Sequence, residues 1–227
     1  KKKKLDIIYE DKYLIIINKP SGILTISRDN SYDKNLYDEV KEYIKKQNPK
    51  NKIFIVHRLD KDTISTFHGW KLFNFISGLI VFAKSELVKR KLQDNWTEVK
   101  RYYYAVVEKT LTQNGHLEDY LFETKTHDVI ITKDKKKGKL AITDFEVIKY
   151  NTKYSLLNIN IKTGRKNQIR VQLANINHPI VGDKKYSKKC SSPMCLQAYK
   201  LQFIHPISNE LLNIEIKINH NFQNLIN

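Results

Sequence analysis

The chain has 227 residues, a length that suits a single catalytic domain over residues 1–227. Lysine and arginine outnumber aspartate and glutamate by 41 to 24, and the net charge of +17 favours a polyanionic partner, with nucleic acid first. A coding bias toward lysine is an alternative partial cause of this charge. The longest apolar runs, at residues 14–17 and 78–83, are too short to cross a bilayer, which excludes a membrane-spanning helix.

Two cysteines, Cys190 and Cys195, are too few for a disulfide framework, and they fit a reducing compartment. No histidine and no second cysteine pair lies close to them in the sequence. We therefore predict neither disulfides nor a zinc site.

The first half of the chain predicts short strands and two amphipathic helices. Strands at residues 7–9 and 13–18 flank a polar turn, and apolar residues at helical spacing predict a helix over 36–46. Residues 78–83 predict a buried strand, after which Ser85 can cap the second helix.

The second half is rich in β-branched and aromatic residues, which favours strands. Strands are predicted at residues 102–108, 141–150, 154–162, 196–204 and 211–218. One helix interrupts them at about 167–176, and residues 133–139 predict a basic loop. Strands and helices do not alternate strictly, so we predict an α+β fold with a largely antiparallel sheet.

Residues 57–63 read HRLDKDT and place Asp60 among side chains that are or can become cationic. Nearby positive charge keeps a carboxylate ionised, as a nucleophile or a base requires. Taken alone, the same residues fit an ion-pair cluster at the surface.

A second polar segment, residues 162–170, reads KTGRKNQIR. Gly164 permits a tight turn before a helix, where Arg165 and Arg170 could bind phosphate or hold a carboxylate. The alternative is a solvated basic helix end. We interpret His178, which precedes Pro179, as a structural turn residue.

In chain order these pieces resemble the RluA family of pseudouridine synthases, over about residues 7–218. The opening motif is INKPSG at 17–22, and the catalytic motif is HRLDKDT at 57–63, continuing as SGLIVFAK at 77–84. The later motifs are RYYYAV at 101–106, TGRKNQIRV at 163–171, HPIVGD at 178–183, and LQA at 196–198 through HP at 205–206. Six ordered motifs are far more specific than any one of them.

The resemblance implies the pseudouridine synthase fold, a curved, mostly antiparallel sheet flanked by helices with a central active-site cleft. It also implies that Asp60 is the essential carboxylate, that Tyr103 lies against the uracil ring and that Arg170 pairs with Asp60. Tyr102 and Tyr104 remain alternatives for the ring contact. Whether Asp60 adds to the sugar or base, or removes a proton from C2′, stays open.

The resemblance further implies that Arg58 fills the space left when the target nucleotide leaves the stack. We expect His57, Arg165 and Lys19 to join it in binding RNA or the target nucleotide. These residues supply the cationic character that phosphate contacts need.

The implied reaction isomerises uridine to pseudouridine in structured RNA, either ribosomal or transfer RNA, without a metal or nucleotide cofactor. We expect a monomer that needs no protein partner, located in the cytoplasm, with an organelle as the alternative. We expect recognition to rest on the catalytic domain and its basic surface, without a separate N-terminal RNA-binding domain, unless a longer natural chain has been trimmed.

An insert at residues 64–76, ISTFHGWKLFNFI, separates Thr63 from Ser77, which the family usually joins directly. It is interpreted as translated noncoding sequence or a neutral loop, ahead of an aromatic loop that contacts RNA. Asn167 stands where the family commonly has histidine, and we expect it to keep a local hydrogen bond.

Two other functions remain as alternatives. The first is an RNA-binding member of the same fold that has lost turnover through the insert. The second is a nucleoside-cleaving hydrolase, which would need a second carboxylate, and Asp62 is the adjacent candidate.

Overall fold

The computed structural model describes residues 5–26, 35–57, 59, 61–63, 73–187 and 193–227, with only the backbone described at 61–63 and 73–75. Its elements in chain order are β1 (Ile7–Glu10), β2 (Leu14–Lys19), α1 (Leu36–Gln47), β3 (Phe54–Ile55), β4 (Lys61–Thr63), β5 (Phe73–Phe75), β6 (Ser77–Ala83), α2 (Glu86–Asp94), β7 (Lys100–Glu108), β8 (Gly115–Glu123), β9 (Val129–Thr132), β10 (Lys139–Tyr150), β11 (Tyr154–Ile161), α3 (Gln168–Asn175), β12 (Leu196–Ile204), β13 (Leu211–Glu215) and α4 (His220–Ile226). A 3-10 turn, Trp96–Glu98, links α2 to β7.

Eleven of the described strands form one sheet, in the order β1-β2-β6-β12-β7-β11-β10-β8-β9, with β13 paired to β12 and β3 to β6. The strand pairs are antiparallel except for β6 with β12, which run parallel. The predicted α+β fold with a mostly antiparallel sheet is therefore confirmed. None of the helices in the described ranges is long and apolar enough to cross a membrane.

The first two helices begin where the sequence places caps. The side chain of Asn35 accepts a hydrogen bond from the backbone N–H of Asp38, and the side chain of Ser85 accepts one from Val88. Each bond satisfies a helix N–H that has no partner within the helix. Acidic residues in the first turn of α1 and lysines in its last turn also suit the helix dipole.

The sheet has two faces because successive side chains of a strand point in opposite directions. On the first face, Ile80 and Phe82 of β6 pack against α1. On the second face, Leu79 and Val81 of the same strand pack with α2. Helix α3 also lies on the first face, where Gln172 accepts a hydrogen bond from Thr143 on β10.

One row of paired residues crosses the first face. Lys19 on β2 lies opposite Gly78 on β6, which pairs with Ala198 on β12. Ala198 in turn pairs with Tyr103 on β7, and Tyr103 pairs with Ile159 on β11. Paired residues share a face, so this row connects the opening motif to the tyrosine motif.

Gly78 lies where β6 and β12 approach each other closely. It has a φ of 112°, and a Cβ placed on it would lie 2.1 Å from the carbonyl oxygen of Ala198. A side chain at this position would push the two strands apart.

Five elements of the described ranges were not predicted from the sequence: the short strands β4 and β5, the strands β8 and β9, and the helix α4. Strands β8 and β9 extend the sheet beyond β10, and α4 packs Phe222 and Ile226 into the core. The basic loop at 133–139 is a turn, although its last residue, Lys139, already belongs to β10.

Candidate active site

A cleft of about 1060 Å³ opens on the first face of the sheet. Its floor includes Arg101 and Tyr103 of β7, Ile161 of β11 and Leu196 of β12. The other described lining residues are His57, Leu59, Ile76, Trp96, Thr97, Glu123, Thr126, His127, Asp128, Lys162, Thr163, Gly164, Arg165, Lys166, Asn167, Gln168, Ile169, Arg170 and Lys185.

The structure therefore brings four of the predicted site residues, His57, Tyr103, Arg165 and Arg170, to one cleft. Two others, Asp60 and Arg58, lie outside the described residues. Leu59, which stands between those two in the sequence, is buried and lines the cleft.

Tyr103 is the tyrosine of the RYYYAV motif that faces the cleft. Its neighbour Tyr104 faces the opposite side of the sheet, where it stacks on Tyr199 with ring centroids 3.7 Å apart. Tyr102 also lies against Tyr199, at 6.4 Å. Successive side chains of a strand point to opposite faces of the sheet. Tyr103 therefore faces the cleft, whereas Tyr102 and Tyr104, the alternatives that the sequence left open, lie against Tyr199 on the other face.

Arg170 is buried in the first turn of α3, with 1% of its side chain exposed. Its Nε donates to Oδ2 of Asp183 at 2.7 Å and its Nη2 donates to Oδ1 at 2.8 Å. Its Nη1 donates to Oδ1 of Asn167 at 3.0 Å, and its guanidinium lies over the ring of Tyr186. A fork-shaped pair of this kind fixes the plane of the guanidinium.

The expected pairing of Arg170 with Asp60 falls on a residue outside the described ranges, so it stays a prediction. Asp183 is the described carboxylate partner, and it belongs to the HPIVGD motif. A guanidinium carries five N–H groups, and it can therefore bind a second carboxylate in addition to Asp183.

Asn167 begins α3 in the left-handed backbone region, at φ 55°. Its side-chain oxygen accepts from Arg170, and its amide donates to the hydroxyl of Tyr186 at 3.3 Å. The hydrogen-bonding role expected for this substitution is therefore present. Asparagine also tolerates this backbone conformation better than most residues do.

Gln168 holds the turn that carries Gly164 and Arg165. Its Oε1 accepts from Oγ1 of Thr163 at 2.7 Å and from the backbone N–H of Arg165 at 3.0 Å. Its Nε2 donates to the carbonyl of Ile142 at 2.9 Å, which ties the turn to β10. The cleft wall at this point is built by hydrogen bonds within the TGRKNQIRV motif.

His57 is half-buried and stacks on Trp96, with ring centroids 4.5 Å apart. Its Nε2 accepts a hydrogen bond from the backbone N–H of Val81 at 3.1 Å, which requires an unprotonated nitrogen. Burial, together with the charge of Arg101, lowers the pKa of His57 to about 3. The imidazole is therefore neutral at pH 7, and the RNA-binding role expected for His57 stays a prediction.

Lys19 is buried as well, with 2% exposure. Its Nζ donates to the carbonyls of Pro20 and Ile23 at 3.1 and 3.0 Å, and burial lowers its pKa to about 8. These bonds fix the loop of the opening motif. Lys19 thus lies in the interior, and its expected role in binding RNA or the target nucleotide stays a prediction.

Arg165 and two lysines form the rim of the cleft. The Nε of Arg165 donates to the carbonyl of Leu140 at 2.9 Å. Lys166 pairs with Glu123 at 2.6 Å, and Lys185 pairs with Asp128 at 2.9 Å. Much of the positive charge of this rim is therefore balanced by nearby carboxylates.

Arg101, Trp96 and Asp183 are site residues to which the sequence analysis gave no role. Arg101 is buried and its Nε donates to the carbonyl of Val99, while burial lowers its pKa. A Cβ at Gly164 would lie 2.6 Å from Nη1 of Arg101, so the turn passes closely over this guanidinium. The sequence signal that could have identified Arg101 as a site residue is its position directly before the three tyrosines of the RYYYAV motif.

Part of the insert is integrated into the fold. Strand β5 pairs antiparallel with β4, with Lys61 opposite Phe75 and Thr63 opposite Phe73. Ile76 is 5% exposed and belongs to the hydrophobic core beside the cleft. The rest of the insert, residues 64–72, lies outside the described residues.

His178 has the structural role predicted for it. Its Nδ1 is hydrogen-bonded to the carbonyl of Glu108 at 3.0 Å. This bond joins the turn before Pro179 to the end of β7.

The fold and cleft define a class of enzyme, and comparison with known proteins identifies it. Residues 13–175 match the family described as RNA pseudouridylate synthase. The chain belongs to this family, the isomerases that form pseudouridine in RNA.

Two relatives and one solved structure show how far the similarity extends. The chain is 33% identical to the uncharacterized RNA pseudouridine synthase YhcT of Bacillus subtilis, over 98% of this chain and 71% of that protein. It is 32% identical to the dual-specificity RNA pseudouridine synthase RluA of Haemophilus influenzae, over 94% and 93% of the two chains. The human RNA pseudouridylate synthase domain containing 4 has the same fold, with a TM-score of 0.76, 21% identity and 96% and 90% coverage.

Proposed function

We propose that this chain converts a uridine of a structured ribosomal or transfer RNA to pseudouridine, with Asp60 as the essential carboxylate. The observation that carries the proposal is the convergence of Tyr103 and Arg170 on one cleft that is also lined by Leu59, the residue before Asp60. The similarity to a dual-specificity synthase supports both RNA classes as candidate substrates.

The cleft suits a nucleotide that has left its base stack. The reacting C1′ and C5 atoms are inaccessible inside a folded RNA, so the nucleotide has to enter a pocket and be held there. Tyr103 offers an aromatic surface for the uracil ring. Arg58 is proposed to occupy the space that the nucleotide leaves in the RNA.

The chemistry conserves atoms and electrons. The C1′–N1 bond breaks, the base turns, a C5–C1′ bond forms, and the proton lost from C5 is balanced by one gained at N1. No oxidant or reductant is consumed. Arg170, held by Asp183 and Asn167, is proposed to keep Asp60 ionised and oriented, because an adjacent guanidinium favours the charged form of a carboxylate.

We further infer that the enzyme acts as a monomer, without an obligatory protein partner, in the cytoplasm. Ribosomal and transfer RNA are abundant there. Sedimentation of the purified chain, alone and with a transcript, tests the monomeric state.

Release of tritium from transcripts labelled at C5 of uridine tests the function, because C5 loses its hydrogen in this reaction only after the glycosidic bond has broken. Asp60→Asn should abolish release while RNA binding persists. Asp62→Asn is the matched control. It removes one neighbouring charge without touching the essential carboxylate, so tritium release should stay within about tenfold of the wild-type rate. Activity of Asp60→Asn within the same range would refute the assigned role.

The same assay separates the alternatives. A chain that binds RNA without releasing tritium would be the RNA-binding protein that has lost turnover. Free uracil in the products, with loss of activity in Asp62→Asn, would indicate the hydrolase instead.

A further inference from the structure

A second cationic depression lies outside the cleft, between α1 and the segment 49–54. Its volume is about 530 Å³. We call it the lysine groove, and its described lining residues are Tyr37, Lys41, Lys45, Pro49, Lys50, Asn51, Lys52, Ile53 and Phe54. Tyr37, Lys41 and Lys45 follow each other at four-residue spacing, so they form one stripe along α1.

The described residues that line the groove carry positive charge only, although α1 also has Asp38, Glu39 and Glu42 outside the lining. Lys41, Lys45, Lys50 and Lys52 are exposed, and the structure shows no carboxylate bound to any of them within the described ranges. The described residues that line the groove include no acid. This differs from the rim of the cleft, where Lys166 and Lys185 each bind a carboxylate.

The groove also has a fixed apolar base. The hydroxyl of Tyr37 donates to the carbonyl of Ile53 at 3.3 Å, which joins the helix to the segment 49–54. The Nζ of Lys41 lies 6.0 Å from the centre of the Tyr37 ring. At least one of the lysines is thus held near an aromatic surface.

The groove and the cleft are on the same side of the sheet. Helix α1 packs on Ile80 and Phe82 of β6, which share a face with Gly78. Gly78 belongs to the row that contains Tyr103. Strand β12 separates β6 from β7, so these two strands are about 10 Å apart, two strand spacings. A structured RNA that covers the cleft can extend over α1.

We propose that the lysine groove binds backbone phosphates of the same RNA whose target uridine enters the cleft. The inference rests on the proposed function and adds a recognition surface to it. Lysines that bind phosphates release condensed counterions, and this gives an affinity that is independent of sequence and dependent on salt. The four lysines therefore bind the RNA backbone, while the residues of the cleft carry out the reaction.

The test replaces the four lysines by glutamine in one variant, Lys41→Gln, Lys45→Gln, Lys50→Gln and Lys52→Gln. The matched control removes four charges at exposed positions elsewhere, with Arg90→Gln, Lys91→Gln, Lys149→Gln and Lys153→Gln. Thermal midpoints check that both variants fold. The probes are an unmodified tRNA transcript and a ribosomal RNA hairpin transcript, bound at several KCl concentrations and followed by anisotropy.

The groove variant should bind RNA at least about tenfold more weakly at 100 mM KCl, with a salt slope shallower by about 3, since each phosphate contact contributes about 0.7–0.9. The control should keep the wild-type slope. The KM for tritium release should rise with little change in kcat, because the groove touches no reacting atom.

Other outcomes overturn the inference. If the wild type modifies RNA and the groove variant has the same affinity and slope, the groove has no role while the proposed function stands. An equal loss in the control would show a general charge effect. If titration with inorganic phosphate shows that the groove variant loses phosphate binding but keeps RNA binding, the groove is a small-anion site and not an RNA-binding surface. If the wild type neither binds nor modifies either transcript, the proposed function fails together with the groove.

Discussion

Arg170 and Asp183 form a buried, fork-shaped ion pair, with Nε to Oδ2 at 2.7 Å and Nη2 to Oδ1 at 2.8 Å. The same carboxylate accepts the backbone N–H groups of Lys185 and Tyr186 at 2.9 and 3.2 Å. Asp183 thereby joins α3 to the turn of the HPIVGD motif. The side chain that is proposed to orient Asp60 is itself held in place by this residue.

Removing one partner of the pair leaves an uncompensated charge in the interior. We expect Asp183→Ala to lower the free energy of unfolding by about 3–5 kcal/mol, and Arg170→Ala to do the same. Urea denaturation measures both losses. The double variant should lose much less than the sum, because neither charge is then left alone. Strict additivity would show that the two side chains do not depend on each other.

Acid stability should depend on His57. Its pKa of about 3 in the folded chain lies below the usual value of 6.5, so the unfolded chain binds the extra proton between these pH values. Stability should therefore fall as pH decreases from 6.5 to 3, by up to about 1.4 kcal/mol per pH unit from this residue.

The variant His57→Gln stays neutral over that range and can still accept the N–H of Val81. Urea denaturation at several pH values should show a flatter acid limb for the variant than for the wild type. Parallel curves would mean that His57 is protonated in the folded chain.

Gly78→Ala should be strongly destabilising because the added Cβ meets backbone atoms of Ala198. We expect a loss of more than about 3 kcal/mol in the free energy of unfolding. Gly22→Ala is the matched control, since Gly22 also has positive φ, 86°, but no atom within 4 Å of the added carbon. That variant should lose only about 1–2 kcal/mol, the cost of the backbone conformation. Similar losses in the two variants would rule out the close approach of β6 and β12.

The insert can be shortened without touching the part that packs. Thr63 and Phe73 are opposite each other in the β4–β5 pair, so replacing residues 64–72 by Asn-Gly gives a two-residue hairpin loop. If these residues are noncoding or neutral, thermal midpoint and pseudouridine yield should be kept or increased. Loss of RNA binding in this variant would favour the functional loop.

Deleting all of residues 64–76 serves as the comparison. This removes Ile76 from the core, and we expect it to cost about 2–5 kcal/mol. A full deletion as stable as the Asn-Gly variant would show that β5 and Ile76 contribute nothing to the packing.

The helices α1 and α2 could be predicted because each combines a capping residue with apolar positions at helical spacing. Strand β8 could not be predicted in the same way, since His116, Glu118 and Asp119 interrupt its apolar alternation. Its conformation comes from pairing with β10 and β9. Helix α4 has only seven residues, too few for a clear periodic pattern. Its two buried side chains, Phe222 and Ile226, are stabilised by packing against the core and not by a local sequence signal.

The candidate site shows a similar division. The resemblance implied that Tyr103 and Arg170 both belong to the active site, and both line the cleft. The neutral state of His57 depends on Trp96 and on the amide of Val81, which are distant in the sequence. The burial of Lys19 depends on the loop that closes over it. Contacts of this kind come from tertiary packing, which local patterns do not encode.

Strand β12 lies between β6 and β7, although β6 and β7 precede it in the chain by more than a hundred and by about ninety residues. During synthesis, the part of the sheet that contains β6 and the part that contains β7 therefore cannot join until β12 has been made. Until then the edge of β7 and the Ser77–Gly78 end of β6 carry unpaired N–H and C=O groups, which can pair with other chains. Since the row through Tyr103 crosses this junction, a nascent chain becomes competent for its RNA only after most of it has been made.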